Sequence, residues 1–278
     1  MNIKTNIVFI CMSLLSVLAN AQDPALTEAN RLIIEGDNYL RYANWDQAHI
    51  SYTNAIIANE GYAISYMKRA NLNMRLGRSN EALNDYNKAI TLNPYSEYVY
   101  KQRSKIKMIA MNYKGAINDI NKAISINPTN NELLDHRAED FILIGQYKKA
   151  LEDIDTLIKR NYNLEYLYQK KALTHLLIND LENSFSYIDS ALLINNNSSL
   201  TYDILGVIYL KQKKYDDAIE AFSKAININP SITTKPKTNS DCLNFCFNIS
   251  GSNIAAKALT EPKQANVKEA LLFILILP

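Results

Sequence analysis

The sequence predicts an all-α protein built as a stack of helix-turn-helix hairpins, and three observations predict it. The stretch ALNDYNKAITLNPYSE at Ala82–Glu97 returns as AINDINKAISINPTNN at Ala116–Asn131, an offset of 116 − 82 = 34 residues. Repetition at such a period marks a chain assembled from one supersecondary unit stacked on itself. Within the repeat, small residues recur at fixed positions between large apolar ones, the pattern of helices packed closely together. The chain also carries only 7 Gly and 7 Pro among its 278 residues, with 47% hydrophobic residues, so helix breakers are sparse.

The elements follow in order. Residues 1–21 read as a cleavable export leader. Lys4 is the positive start, Ile7–Leu18 is apolar but for Ser13 and Ser16, and Ala19-Asn20-Ala21 places small residues where a signal peptidase reads them, with the cut after Ala21. The apolar run falls short of the roughly 20 residues a membrane span needs. Cys11 lies inside that run behind the bulky Ile10, so no lipid attachment is expected. The mature chain is therefore expected to be periplasmic or secreted, without a transmembrane span. Residues 22–28 form a short lead.

Six frames then follow without insertion or deletion: 29–62, 63–96, 97–130, 131–164, 165–198 and 199–232. With slot 1 at Ala29, slot 8 holds Gly36, Ala70, Ser104, Ala138, Ala172 and Gly206. Slot 20 holds Ala48, Ala82, Ala116, Ala150, Ser184 and Ala218, and slot 27 holds Ala except for Leu157. Slot 24 is large throughout: Tyr52, Tyr86, Ile120, Ile154, Ile188 and Phe222. Slot 17 is aromatic at Trp45, Tyr113, Tyr147 and Tyr215. A first helix is expected over slots 1–14 and a second over slots 18–30. Gly77 and Gly145 fall in the turn at slot 15, where a positive φ is useful. Pro94, Pro128 and Pro230 fall just beyond the second helix, where they stop it. Frames 4 and 5 depart most from the pattern, with Leu157, Tyr162 and Asn196.

On these residues the chain resembles the tetratricopeptide repeat family over 29–232. The resemblance implies a right-handed superhelical solenoid, an α-α superhelix, in which each hairpin covers its neighbour. It also implies a concave surface lined by slots 2, 5, 9, 12 and 13 of the first helices, where partners bind. The residues so placed are Met67, Asn71, Arg75, Tyr98, Lys101, Lys105 and Met108, then Glu132, Asp135 and Glu139, then Tyr166, Gln169 and Leu173. The face is expected to be basic in one stretch and acidic in the next, suited to a peptide with matching charges. Some family members hold a partner's C-terminal carboxylate with Lys, Asn and Arg from three successive frames. Here Met67 with Asn71, then Gln102, then Glu132 with His136 stand instead, so that mode is not expected. A ladder of ion pairs between frames is expected as Asp85–Arg103, Asp119–Arg137 and Asp153–Lys171. Pairing within a frame, as in Arg69–Asp85, is the alternative.

The expected function is a non-catalytic scaffold that binds a protein or peptide. The alternative is a scaffold in envelope-polysaccharide export that contacts glycan through Tyr66, Tyr98, Tyr100, Tyr166 and Tyr168. A formal net charge of +2 gives no electrostatic reason to expect nucleic acid. His49, His136 and His175 fall in different frames without ligand spacing, and His175 shares slot 11 with aromatic residues, so it is expected to pack. No phosphate-binding glycine loop is present. No catalytic residue, cofactor or metal is therefore expected. The regular pattern fails after Ile232. Residues 233–278 read as a linker and an apolar tail ending in Leu271–Leu277, with three readings open: a cap on frame 6, a segment that binds a partner or membrane surface, or a poorly ordered end. Cys242 and Cys246 could be bridged in an oxidising compartment.

Overall fold

The computed structural model describes residues 23–229, which form twelve α-helices and no strand among the described residues. They are α1 (Pro24–Arg41), α2 (Trp45–Ala58), α3 (Ala63–Arg75), α4 (Ser79–Leu92), α5 (Glu97–Ile109), α6 (Tyr113–Ile126), α7 (Asn131–Leu143), α8 (Tyr147–Lys159), α9 (Leu164–Leu177), α10 (Leu181–Ile194), α11 (Ser199–Lys211) and α12 (Tyr215–Ile228). The leader at 1–21 and the tail with Cys242 and Cys246 lie outside the described residues. The chain divides into two compact units between Pro128 and Thr129. Unit 1 holds α1 to α6 and unit 2 holds α7 to α12. Within each unit, helices pair as hairpins and each second helix packs on the next first helix. The lead expected at 22–28 is helical from Pro24, because Asp23 caps the Ala25 N–H at 2.9 Å and proline suits a first turn.

The turn inside each hairpin has one backbone form. Slot 15 is left-handed in all six frames: Ala43, Gly77, Met111, Gly145, Asn179 and Lys213 have φ between 53° and 76°. The next N–H reaches back to the carbonyl five residues earlier, as Asn44 to Tyr39 at 2.9 Å and Gln146 to Phe141 at 2.8 Å, so helix-end carbonyls are satisfied. The sequence makes this turn in two ways. Frames 2 and 4 use Gly77 and Gly145. Frames 1, 3 and 5 lack the glycine but follow with Asn44, Asn112 and Asp180, whose side chains accept from Gln47, Gly115 and Asn183 N–H and cap the second helix. Frame 6 has Lys213 and Lys214 and uses neither device.

The core is the small-large alternation made solid. Slot 8 lies under slot 24 of the same hairpin. A Cβ added at Gly36 would meet the Tyr52 ring at 2.5 Å, and one at Gly206 would meet the Phe222 ring at 2.6 Å. Ala48, Ala55, Ala82, Ala116, Ala123 and Ala150 are fully or almost fully buried. The slot 17 aromatics begin the second helices and stay partly exposed, Trp45 at 36% and Tyr113 at 43%.

The ion pairs close within a frame, not between frames as expected. Arg69 meets Asp85 at 2.8 Å, Arg103 meets Asp119 at 2.6 Å, and Arg137 meets Asp153 at 2.6 Å, each through two nitrogens. The planar guanidinium fork explains the choice, since two parallel bonds need both oxygens of one carboxylate across a hairpin. The remaining arginine nitrogen reaches the preceding second helix, as Arg69 to Thr53 at 3.2 Å and Arg103 to Asn87 at 2.8 Å. Frame 5 breaks the rule. Its slot 23 is Tyr187, so Lys171 lies over that ring at 4.3 Å and pairs with Asp155 of frame 4.

Slot 31, after the second helix, is Asn in every frame: Asn59, Asn93, Asn127, Asn161, Asn195 and Asn229. Asn59, Asn93 and Asn195 accept from the N–H two residues on, at 3.0–3.1 Å. Asn127 and Asn195 also donate to Glu97 and Glu165 at the start of a first helix. Asn161 differs, with φ 54°. Tyr162, where frames 2, 3 and 6 have proline, donates its N–H to Leu157 O at 3.2 Å, and this helix, α8, ends one residue earlier in its frame than the other second helices.

Candidate functional site

In unit 1 the first-helix face is made by α1, α3 and α5. Arg41, Arg75 and Lys105 are exposed, and their side chains make no ion pair. Lys101 is half-buried beside them. Ile64 and Tyr98 are 39% and 43% exposed, and Met67 and Met74 pack on the core beneath. Asp37 is the one acid among slots 2, 5, 9, 12 and 13 of these three helices. It is already engaged: Lys68 Nζ stands 2.7 Å away and the Tyr52 hydroxyl donates to it at 2.6 Å. Asn71 is half-buried, and its Oδ1 accepts from the Tyr86 hydroxyl at 2.6 Å. Burial pushes the Tyr52 and Tyr86 phenols up, so both remain donors. The result is a basic face with exposed apolar and aromatic side chains between the charges.

The corresponding helices of unit 2 do not make the acidic stretch expected from Glu132, Asp135 and Glu139. Lys170 from α9 is 1% exposed and places Nζ 2.5 Å from Asp135 and 2.8 Å from Glu139. The ammonium lies 4.4 Å from the centre of the Tyr166 ring, and the Tyr166 hydroxyl donates to Glu139 at 3.0 Å. Burial works against the Glu139 carboxylate, but His136, Lys170 and Tyr166 outweigh it and hold the group down at about 2. For Asp135 burial wins and the carboxyl is raised despite Lys170. Burial alone would lower the Lys170 ammonium; Glu139 and Asp135 reverse that and hold it above its usual range, so it is charged. Two of the three acids are thus spent on an internal cation, and Glu132 alone is exposed.

Gln169 and Leu173, expected on the partner face, are buried. The Gln169 amide is shared among Thr201 Oγ1 at 2.7 Å, Glu165 Oε1 at 3.1 Å and Ser198 Oγ at 3.2 Å, a tie between α9 and α11. Of the tyrosines expected to meet glycan, Tyr66 and Tyr100 are buried at 9% and 8%, and Tyr168 stacks on Tyr187 at 6.3 Å. His175 packs, as its slot implies, 5.2 Å from the Tyr187 ring with Nδ1 3.0 Å from Asp180. What sequence reasoning missed is Lys170. It falls at slot 6, one residue outside the slots assigned to the face, and Lys68 at the same slot is the signal that could have found it.

Two segments match family models of the tetratricopeptide repeat, residues 63–96 and 204–232. These two segments carry the tetratricopeptide repeat pattern, and the twelve described helices are arranged as tandem helix-turn-helix hairpins throughout. Its fold is similar to that of a tetratricopeptide repeat protein from Parabacteroides merdae ATCC 43184, at 22% identity and TM-score 0.57, over 87% of this chain and 93% of that one. It is similar to MamA residues 41–end from Desulfovibrio magneticus RS-1, at 17% identity and TM-score 0.54, over 62% and 97%. It is also similar to YrrB, described as a TPR protein with an unusual peptide-binding site, at 23% identity and TM-score 0.50, over 64% and 92%. Comparison with curated proteins gave no match.

Proposed function

We propose that the protein is a binding scaffold acting outside the cytoplasm, and that the first-helix face of unit 1 takes an acidic peptide segment of a protein partner. One observation carries this. Arg41, Arg75 and Lys105 are exposed and make no ion pair, while the single acid among slots 2, 5, 9, 12 and 13 of α1, α3 and α5 is Asp37, which Lys68 already neutralises. Surplus charge of one sign steers and orients a partner of the other sign. The exposed Tyr98 and Ile64 give that partner apolar surface to cover, and anchors of this kind supply most of the affinity. Rigid helices lose little entropy on binding. The action is display and capture, without chemistry on the ligand. Export rests on the leader, Lys4 to Ala21, and N-terminal sequencing of the mature chain is expected to begin at Gln22.

The test uses a fluorescent peptide rich in Glu with one Leu and one Tyr, and a control with Lys in place of Glu. The acidic peptide is expected to bind more tightly, with affinity falling as salt rises. Arg75→Glu with Lys105→Glu is expected to weaken it by about tenfold or more. Equal binding by the variant removes this face from the function. Retention on polysaccharide with no peptide binding favours the glycan reading.

A further inference from the structure

The hairpin turns of unit 1 carry large side chains that packing inside the unit does not use. Each second helix packs on the next first helix, so the three hairpins point the same way and their turns share one edge of the unit. On that edge Tyr42 is 85% exposed, Ile109 71% and Met111 75%, and Trp45 and Tyr113 are exposed beside them. Met111 also stands at φ 57°, the left-handed form that Gly77 takes at the same slot of frame 2. A non-glycine residue is strained there, and a side chain so exposed recovers little by packing. Strain held without internal contacts points to a contact outside the chain. The charges on the edge have one surplus sign. Slots 13–19 of the three frames hold the cations Arg41, Arg75, Arg78 and Lys114 against the acids Asp46 and Glu81, all six exposed, a net of 4 − 2 = +2.

We infer that this edge seats on the surface of a membrane that carries anionic lipid. Tyr42, Ile109 and Met111 enter the headgroup boundary, and Arg78 and Lys114 meet lipid phosphate oxygens. Charge complementarity selects the lipid, since each basic side chain held at an anionic bilayer adds to the attraction. Exposure selects a bilayer over a folded partner. The apolar side chains stand clear on separate turns instead of lining a groove, and a protein partner would need a pocket for each, whereas the lipid boundary yields to all of them at once. Tyr and Trp, with an apolar body and a polar tip, suit that boundary.

The test uses Trp45, the single tryptophan of the chain, as a reporter built into the edge. The full chain is mixed with vesicles of phosphatidylcholine alone, or of phosphatidylcholine and phosphatidylglycerol in equal parts, with and without brominated acyl chains. With the anionic vesicles Trp45 emission is expected to shift to the blue and to be quenched by the brominated lipid, and binding is expected to fall as salt rises. Tyr42→Ser with Met111→Gly is expected to weaken vesicle binding by about tenfold, through lost apolar contact. Arg78→Glu with Lys114→Glu is expected to weaken it by about tenfold as well, through lost attraction. Helix content by circular dichroism is expected to be the same in all three proteins. Vesicle binding that both double variants leave unchanged overturns the seat, as does a Trp45 that the brominated lipid never quenches. Self-association without vesicle binding, abolished by Tyr42→Ser with Met111→Gly, assigns the edge to a second copy of the chain and overturns it equally.

Discussion

Left-handed backbone at slot 15 is imposed by the hairpin, and the residue there either suits it or bears strain. Gly77 and Gly145 suit it and were legible in the sequence; Ala43, Met111 and Lys213 were not, because nothing in a non-glycine side chain announces a positive φ. Met111 is 75% exposed at φ 57°, so glycine there gives up little burial. Met111→Gly is expected to stabilise unit 1 by about 0.5–1 kcal/mol, the left-handed strain relieved less the added freedom of the unfolded chain. The urea midpoint would rise at unchanged m-value. Slot 8 predicts the opposite sign for the opposite change. Gly206→Ala drives a Cβ to 2.6 Å from the Phe222 ring and is expected to cost about 1–3 kcal/mol. Phe222→Leu added to Gly206→Ala is expected to recover part of that loss, because the clash is with the ring edge. A simple sum of the two single costs in the double variant would show that the contact is not the cause.

Helices hold their neighbours through charges whose partners cannot be chosen from one dimension. The repeat length, the small slots and the helix order were legible because each hairpin must offer its successor the same surface. Which cation meets which acid was not, since Asp153 and Lys171 are in register on paper while Tyr187 and Asp155 decide the outcome in space. The acidic patch of α7 was misread for the same reason: its neutralising lysine sits on α9. Lys170→Met leaves Asp135 and Glu139 buried without their cation and is expected to destabilise unit 2 by about 3–5 kcal/mol at pH 7. The sign with pH follows. In the native protein Glu139 is held at about 2, below its unfolded value, so its contribution is present above pH ~4.5 and is lost as pH falls toward 2. In the variant both carboxyls lose their cation and are expected to sit above their unfolded values, so protonation favours the folded state. The gap between native and variant should therefore narrow from pH 7 to pH 4 in urea titrations; a gap constant with pH would assign the loss to packing of the lysine stem.

Stacked hairpins touch only their neighbours within a unit, so stability is a sum of local terms and can be changed at one place. The last hairpin is where the sequence leaves most to gain. Frames 1 to 5 each use a slot 15 glycine or a slot 16 cap, and frame 6 offers Lys213 at φ 62° followed by Lys214, which makes no side-chain cap. Frame 6 also has Leu205 and Ala221 where frames 2 to 4 have the arginine and aspartate of the bidentate pair. Amides of α11 and α12 are therefore expected to exchange through local opening more readily than those of α9 and α10. Lys213→Gly with Lys214→Asn supplies both missing devices, together worth about 1.5 kcal/mol, and is expected to slow exchange across α11 and α12 by roughly tenfold. Exchange in α1 to α4 should not change. Equal slowing in all twelve helices would mean that the chain opens as one cooperative body, and no slowing in α11 would mean that this turn does not limit the opening of the end.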